Sequence, residues 1–271
     1  MTMAALPAVE SDGSRTVPFY QPVGHETDLF LHCWEQRLPL MLKGPTGCGK
    51  SRFVEHMAAQ LGRPLVTVAC HDDTSAADLL GRWLVRSGDT VWQDGPATRA
   101  VREGAILYLD EVAEARPDVV VAIHPLTDHR RRLDVARHDE TLEAASEFML
   151  VVSFNPGYQR GWKEMKPSTR QRFVAASFGY PEPELEARIL HGETGCEADL
   201  AKRLVALAGK LRGLEELGLA EKASTRLLVD AARLIMAGLP PRAASVAAIC
   251  EPLSDEPDVL EALGEVVALA F

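Results

Sequence analysis

The sequence predicts an α/β fold, in which a parallel β-sheet is flanked by helices and followed by a small C-terminal helical lid domain. Four short apolar runs alternate with helical patterns in the first two thirds of the chain. Such alternation is typical of a parallel sheet with helices on both faces. Beyond about residue 180, Ala- and Leu-rich helical patterns continue without another apolar run of that kind.

The elements and domains are predicted as follows. Strands are expected at 38–43, 65–70, 106–110 and 148–154, and helices at 27–37, 50–61, 183–190, 198–212 and 225–237. Residues 1–17 are small and polar and predict a flexible N-terminal arm. The predicted core covers residues 18–180, and the helical lid covers residues 181–271.

Composition narrows the class of protein. The chain has 271 residues, of which 46% are hydrophobic and 25% charged, which is ordinary for a globular protein. A net charge of −10 argues against nucleic acid as the main partner, because phosphate backbones favour basic surfaces. The five cysteines form no C-x-x-C pair, which indicates a reduced, cytoplasmic protein without a zinc site. No signal peptide or membrane-spanning run is expected.

The first motif is GPTGCGKS at residues 44–51, which fits G-x-x-x-x-G-K-[ST] at every fixed position. Glycines let backbone N–H groups point at phosphate oxygens, Lys50 neutralises the β- and γ-phosphates, and Ser51 ligates Mg²⁺. The motif follows an apolar strand and opens a helix, whose positive end adds to phosphate binding. A plain strand–turn–helix is the alternative. The predicted nucleotide-binding residues are Gly44, Pro45, Thr46, Gly47, Cys48, Gly49, Lys50 and Ser51.

The second motif is AILYLDE at residues 105–111, an apolar strand that ends in two acidic residues. Alone it is weak, because many strands meet solvent in this way. Downstream of a phosphate loop, it predicts that Asp110 joins Ser51 in holding Mg²⁺ and that Glu111 polarises the attacking water. The acidic pair favours hydrolysis of ATP over phosphoryl transfer to a small molecule.

Four further residues are candidates for the same chemistry. Asn155 ends the fourth apolar strand and is predicted to orient the water beside Glu111, although Asn-Pro is also an ordinary turn. Arg170 and Arg172 lie in KPSTRQRF, and Arg226 lies at the start of a C-terminal helix. Each arginine is suited to stabilise the charge of a phosphoryl transition state. Solvated surface arginines are the alternative.

Together these motifs resemble the MoxR clan of AAA+ ATPases and, within it, the CbbQ/NorQ family. The resemblance covers residues 22–239 and is carried by GPTGCGKS, DLLGRWLV, WQDGPATRAVREGAILYLDE, SFNPGYQ and MKPSTRQRF. Gln171 stands where many members of the clan have an acidic residue. The resemblance implies an AAA+ P-loop NTPase core that binds ATP and Mg²⁺, in a homo-hexameric ring with active sites at subunit interfaces.

The resemblance also implies individual roles. It assigns the arginine fingers, which act on a neighbouring subunit's nucleotide, to Arg170 and Arg172, and the lid-borne second sensor to Arg226. Two inserted hairpins are expected at residues 82–94 and 130–145, where strand–turn–strand patterns occur. In this family such hairpins face the central pore, and solvated loops are the alternative.

The partners implied are a protein with a von Willebrand factor A domain and a client enzyme. Rubisco, freed of inhibitory sugar phosphates, is the client favoured by overall resemblance, and nitric oxide reductase, whose metal centre needs assembly, is the alternative. A nucleic-acid-dependent motor and a small-molecule kinase are alternatives of other classes. The acidic composition counts against the nucleic-acid-dependent motor, and the Asp-Glu pair counts against the kinase. No N-K-x-D sequence supports a GTPase.

Overall fold

The structure is a computed structural model, and it describes residues 17–155 and 165–271. The predicted N-terminal arm lies outside the described residues except for Val17. The strands are β1 (Leu40–Lys43), β2 (Leu65–Ala69), β3 (Gly81–Arg86), β4 (Asp89–Asp94), β5 (Ile106–Asp110), β6 (Arg132–Val135), β7 (Glu140–Glu143), β8 (Met149–Phe154) and β9 (Val174–Ser177).

Helices surround these strands and make up the C-terminal part. They are α1 (Glu26–Glu35), α2 (Lys50–Gln60), α3 (Ala76–Leu80), α4 (Pro96–Glu103), α5 (Pro117–Ile123), α6 (Pro167–Arg170), α7 (Pro183–Thr194), α8 (Ala198–Arg212), α9 (Thr225–Met236), α10 (Pro241–Ser245) and α11 (Pro257–Ala268). The predicted helix at 183–190 continues to Thr194, where Gly195 in a left-handed conformation ends it.

Five strands form one parallel sheet in the order β2-β5-β8-β1-β9. The predicted α/β class is therefore confirmed. The edge strand β9 was not predicted, because its sequence VAAS is short and contains only one β-branched residue. It pairs with β1 from Leu40 opposite Val174 to Lys43 opposite Ser177. Since the strands are parallel, their carboxyl ends meet along one edge of the sheet.

The sheet is buried on both faces. Along β5, Leu107 and Leu109 pack into a hydrophobic cluster with α3, α4 and α5, whereas Ile106 and Tyr108 pack into a second cluster with α1 and α2. This alternation follows the two-residue period of a strand. Two side chains of one strand that are two positions apart therefore share a face, as Tyr108 and Asp110 do on β5.

Two antiparallel hairpins lie at the positions where inserts were predicted: β3 pairs with β4, and β6 pairs with β7. The hairpins contact each other, since Trp92 stacks on His138 with ring centroids 4.8 Å apart and an interplanar angle of 4°. Arg102 of α4 forms ion pairs with Asp94 of the first hairpin and Glu140 of the second. The two hairpins therefore form one connected surface feature.

The helices from α7 onward pack around a separate hydrophobic cluster that includes Leu190, Leu204, Leu228 and Leu263. Inside this part lies a buried ion pair. The carboxylate of Glu186 is fully buried and accepts two hydrogen bonds from Arg212, at 2.8 and 2.7 Å, and one from Thr225, at 2.6 Å. These bonds join α7, α8 and the first turn of α9.

We predict that Glu186→Ala destabilises the protein by about 3–5 kcal/mol, because it leaves the Arg212 guanidinium without its buried counter-charge. Chemical denaturation monitored by circular dichroism measures this. The matched control is Glu184→Ala, which removes an exposed carboxylate from the same helix and should change stability by less than about 0.5 kcal/mol. Equal effects of the two substitutions would contradict the assigned role of the pair.

Candidate nucleotide-binding site

The loop from Gly44 to Gly49 connects β1 to α2 at the carboxyl edge of the sheet. Gly47 and Gly49 have φ values of +69° and +98°, a region that residues with side chains rarely adopt. A Cβ at Gly47 would also lie 2.6 Å from the Cβ of Ser224. No side chain caps the N-terminus of α2. The loop therefore has the curled backbone and uncapped helix start that suit phosphate binding.

Lys50 lies at the start of α2 with its side chain directed under the loop. It is 6% exposed, and its Nζ donates to Gly44 O and Pro45 O, both at 2.8 Å, and to Asn155 Oδ1 at 2.7 Å. These three oxygens and a fourth acceptor, Cys48 Sγ at 4.0 Å, are all uncharged. Burial lowers the pKa of Lys50 below its usual value. A buried ammonium held by neutral groups is well placed to attract the negative charge of a phosphate.

Ser51 and Asp110, the predicted magnesium ligands, are brought together. Ser51 Oγ donates to Asp110 Oδ2 at 3.1 Å. Carboxylate and hydroxyl oxygens suit Mg²⁺, which usually takes few protein ligands and completes its shell with water and phosphate. Across residues 17–155 and 165–271, no group of three or more His, Cys, Asp or Glu residues forms a further metal site. The oxygen pair therefore fits a magnesium ion shared with a nucleotide.

Glu111 follows Asp110 immediately and has a left-handed backbone, with φ 55° and ψ 46°. Its Oε1 accepts a hydrogen bond from Asn155 Nδ2 at 3.0 Å. Asn155 therefore connects the carboxylate of Glu111 to the ammonium of Lys50. Burial, and next the neighbouring charge of Asp110, raise the pKa of Glu111. A carboxylate with a raised pKa is a better proton acceptor, as a general base requires.

The remaining loop residues contact other parts of the structure. Thr46 Oγ1 donates to Glu221 Oε1 at 3.1 Å, and Tyr180 OH donates to Thr46 O at 3.3 Å. Cys48 is buried, and burial raises the pKa of its thiol, so the sulfur stays protonated at neutral pH. The loop is therefore joined to the segment between α8 and α9.

A cleft of about 580 Å³ opens beside the loop. Its lining includes Lys50, Ser51, Asp110, Glu111 and, from α9 of the C-terminal part, Arg226. A Cβ at Gly47 would lie 3.4 Å from that of Arg226, so the two residues are close neighbours. The predicted phosphate loop, acidic pair and lid arginine thus border one cavity of nucleotide size.

Further lining residues were not predicted from the sequence. They come from the N-terminal segment, α7 and α9, and include Phe19, Tyr20, Ile189, Val229 and Arg233. The ring of Phe19 also packs on α7 where Gly192 has no side chain. These positions are distant in sequence and carry no shared motif, so only tertiary packing places them at the cleft.

Arg170 and Arg172 lie elsewhere. Both are exposed, and neither is among the residues that line the cleft in the described part of the chain. Arg172 Nη1 lies 3.8 Å from Asp128 Oδ2. The predicted arginine fingers therefore do not line the cleft of their own subunit among the described residues.

Two hydroxyl groups beside Asp110 were also missed by the sequence reasoning. Tyr108 OH and Ser153 Oγ donate to Asp110 Oδ1 at 2.7 and 2.5 Å. Each lies two positions before a predicted site residue, Asp110 on β5 or Asn155 at the end of β8. The two-residue strand period therefore held a usable signal, since residues i and i+2 share a face.

Comparison with known proteins identifies two parts of the chain. Residues 39–173 match the profile of an AAA domain of the dynein-related subfamily, and residues 186–270 match the C-terminal domain of CbbQ/NirQ/NorQ proteins. In structure, the chain is similar to a RuvB mutant from Thermotoga maritima, with a TM-score of 0.53 at 14% identity over 90% of this chain and 70% of that one. At this identity the likeness concerns the fold.

Three relatives match this chain over more than nine tenths of their length and belong to the same group of proteins. The chain is 60% identical to the denitrification regulatory protein NirQ of Pseudomonas aeruginosa, over 93% of this chain and 97% of that protein. It is 55% identical to protein NorQ of Paracoccus denitrificans, over 99% and 100%. It is 53% identical to protein CbbQ of Hydrogenophilus thermoluteolus, over 92% and 93%.

The fold, the phosphate loop and these matches define the chain as a P-loop ATPase of the AAA+ class. Within that class, it belongs to the CbbQ/NirQ/NorQ family. Among the residues that the structure describes, no helix is both long and apolar enough to cross a membrane.

The hydrogen bond from Asn155 lowers the pKa of Glu111, while burial and Asp110 raise it. We therefore predict that Asn155→Ala moves the acidic limb of kcat/KM for ATP to higher pH, because the carboxylate loses a stabilising donor and binds its proton more tightly. Steady-state ATPase rates across pH measure the limb. ATP itself titrates identically in both assays, so the difference belongs to the enzyme. An unmoved limb, or one at lower pH, would contradict the assignment.

Proposed function

We propose that this chain couples hydrolysis of Mg·ATP to the remodelling of a client enzyme. The observation that carries the proposal is the continuous polar chain Lys50–Asn155–Glu111 beside the cleft, with bonds of 2.7 and 3.0 Å. It joins a phosphate-neutralising cation to a candidate base through one amide. A binding module without hydrolysis would have no use for a carboxylate held at that point.

In this mechanism Lys50, the loop N–H groups and the start of α2 bind the phosphates. Ser51 and Asp110 would hold Mg²⁺, which neutralises charge on the phosphate oxygens. Glu111 accepts a proton from the attacking water while the bond between the γ-phosphorus and the bridging oxygen breaks, so that ADP and phosphate form. Asn155 orients that water and Glu111. Arg226, beside the loop, stabilises the charge that develops in the transition state.

Arg170 and Arg172 are assigned to a neighbouring subunit. Both are exposed and lie away from the cleft, which supports a role at an interface. A homo-hexameric ring brings each such pair to the next subunit, since a head-to-tail interface that closes uses every subunit edge equally. Each subunit of the proposed ring has an ATPase core at residues 18–180 and a helical lid at residues 181–271. The two hairpins, β3–β4 and β6–β7, border the proposed central pore.

Mixing two variants with different defects tests the arginine assignment. Arg172→Ala alone should keep its affinity for ATP but lose at least about tenfold in turnover, because the missing contact is made in the transition state. Adding Lys50→Ala chains, whose arginines are intact, should restore part of the activity. The restored sites are interfaces where the intact phosphate loop of an Arg172→Ala chain meets the intact Arg172 of a Lys50→Ala chain. ATPase assays on mixtures of known ratio measure the recovery.

The control replaces the helper chain by the double variant Lys50→Ala with Arg172→Ala, which supplies no arginine and should restore nothing. The trans assignment would be wrong if mixed rings form, as shown by native mass spectrometry, yet Lys50→Ala chains restore no more activity than this control does.

The partner is proposed to be a protein with a von Willebrand factor A domain that brings the ring to its client. Sequence resemblance alone favoured Rubisco, as for CbbQ. The denitrification name of NirQ, at 60% identity against 53% for CbbQ, supports the alternative client. We therefore propose nitric oxide reductase as the client, with metal-centre assembly as the outcome.

The scattered, buried and unpaired cysteines support a cytoplasmic location. The acidic net charge of −10 supports the expectation of no nucleic-acid partner.

Reconstitution tests the client. The chain and its von Willebrand partner are added with ATP either to nitric oxide reductase that lacks its metal centre or to Rubisco blocked by a sugar phosphate. We expect nitric oxide reduction to rise and Rubisco carboxylation to stay unchanged. The control is Glu111→Gln, which should bind ATP but lacks the carboxylate base, and it should activate neither enzyme. Rescue of Rubisco alone would restore the first interpretation, and rescue of neither would overturn the remodelling proposal.

A further inference from the structure

Asp110 receives two buried hydroxyl donors on the same oxygen. Ser153 Oγ donates to Asp110 Oδ1 at 2.5 Å, and Tyr108 OH donates to the same oxygen at 2.7 Å. Ser153 is fully buried and Tyr108 is 1% exposed. Hydrogen bonds from hydroxyl groups to a carboxylate are strong, and buried ones are shielded from competing water. Both donors belong to the sheet itself, so their positions are rigid.

The consequence is an asymmetric carboxylate. With two donors on Oδ1, the other oxygen, Oδ2, is directed to Ser51 Oγ at 3.1 Å. Tyr108 OH lies 3.2 Å from the same Ser51 hydroxyl. The donors therefore fix the rotation of the carboxylate about its Cβ–Cγ bond and turn Oδ2 toward Ser51, the other predicted magnesium ligand.

Ser153 also contacts the next residue in the chain. Its Oγ accepts a hydrogen bond from the backbone N–H of Glu111 at 2.7 Å. Glu111 is in the left-handed region, which is uncommon for a residue with a side chain and persists where surrounding contacts hold it. One hydroxyl thus donates its proton to the first acidic residue and accepts from the backbone N–H of the second through one of its two lone pairs.

We propose that Ser153 is a positioning residue for ATP hydrolysis, with Tyr108 as its partner: together they turn one Asp110 oxygen toward Ser51, where the two residues would hold Mg²⁺, and Ser153 also holds the backbone that presents Glu111. This rests on the proposed roles of Asp110 and Glu111. Ser153 reaches neither water nor nucleotide itself, because it is fully enclosed by the sheet and its neighbours.

The test uses the full chain and two substitutions that each remove one hydroxyl. Ser153→Ala should lower kcat about 10- to 100-fold and raise the Mg²⁺ concentration for half-maximal activity about tenfold, the usual range for residues that orient a metal ligand. Tyr108→Phe should raise the Mg²⁺ requirement but lower kcat less than Ser153→Ala does, because the bond to the Glu111 N–H is intact.

A readout independent of turnover is calorimetric titration with ADP. In the presence of EDTA, both variants should bind ADP within about twofold of wild type, since the phosphate loop is unchanged. The gain in affinity on adding Mg²⁺ should be reduced about tenfold. Ser245→Ala is the matched control: this serine is also fully buried, its hydroxyl has no hydrogen-bond partner in the described part of the chain, and it lies among the C-terminal helices.

Wild-type kcat and Mg²⁺ dependence in folded Ser153→Ala would overturn the inference. If that variant fails to fold, folded Tyr108→Phe decides, and an unchanged Mg²⁺ requirement there overturns it equally. Glu111→Gln distinguishes failure of the positioning role of Ser153 from failure of the proposed base, Glu111. If it is inactive while Ser153→Ala behaves as wild type, only the positioning role falls, whereas an active Glu111→Gln would remove the proposed base itself.

Discussion

The whole site depends on one buried charge. The ammonium of Lys50 lies under the phosphate loop, 6% exposed, and its oxygen acceptors are all neutral: Gly44 O, Pro45 O and Asn155 Oδ1. Burying a cation without a paired anion is costly, so such a group is retained where a ligand supplies the missing charge. Two acceptors are loop carbonyls, and the third ends the neighbouring strand. The same ammonium therefore shapes the loop and connects it to Asn155.

Strand topology explains why this connection is possible. In the order β2-β5-β8-β1-β9, β8 lies between β5 and β1. The carboxyl ends of three adjacent parallel strands thus place Asp110 and Glu111, Asn155, and the phosphate loop side by side. The charged and amide side chains of the site lie at these strand ends, because the strands themselves are largely apolar and buried on both faces. The C-terminal helices close the cleft from the other side, where Ser224 and Arg226 approach Gly47.

How much of this was predictable varies by feature. The phosphate loop, the acidic pair and Asn155 were predictable because each is a local pattern at a strand end, and parallel pairing then places strand ends together. Strand β9 was missed because Val174–Ser177 has little β-propensity and is fixed by pairing with β1. Tyr108 and Ser153 were missed because hydroxyls inside apolar runs look like core residues. The approach of Arg226 to the loop depends on lid packing, which no local pattern encodes.

The central claim is that Lys50 is a buried cation retained for phosphate. Calorimetric titration of Mg·ATP into Lys50→Met tests it most directly, because methionine fills similar space without charge. The account predicts a loss of affinity of about a hundredfold or more, the equivalent of one or two charge-assisted hydrogen bonds of about 1.5–3 kcal/mol each. Circular dichroism should show the wild-type fold. Undiminished affinity for Mg·ATP in a folded Lys50→Met protein would contradict the account.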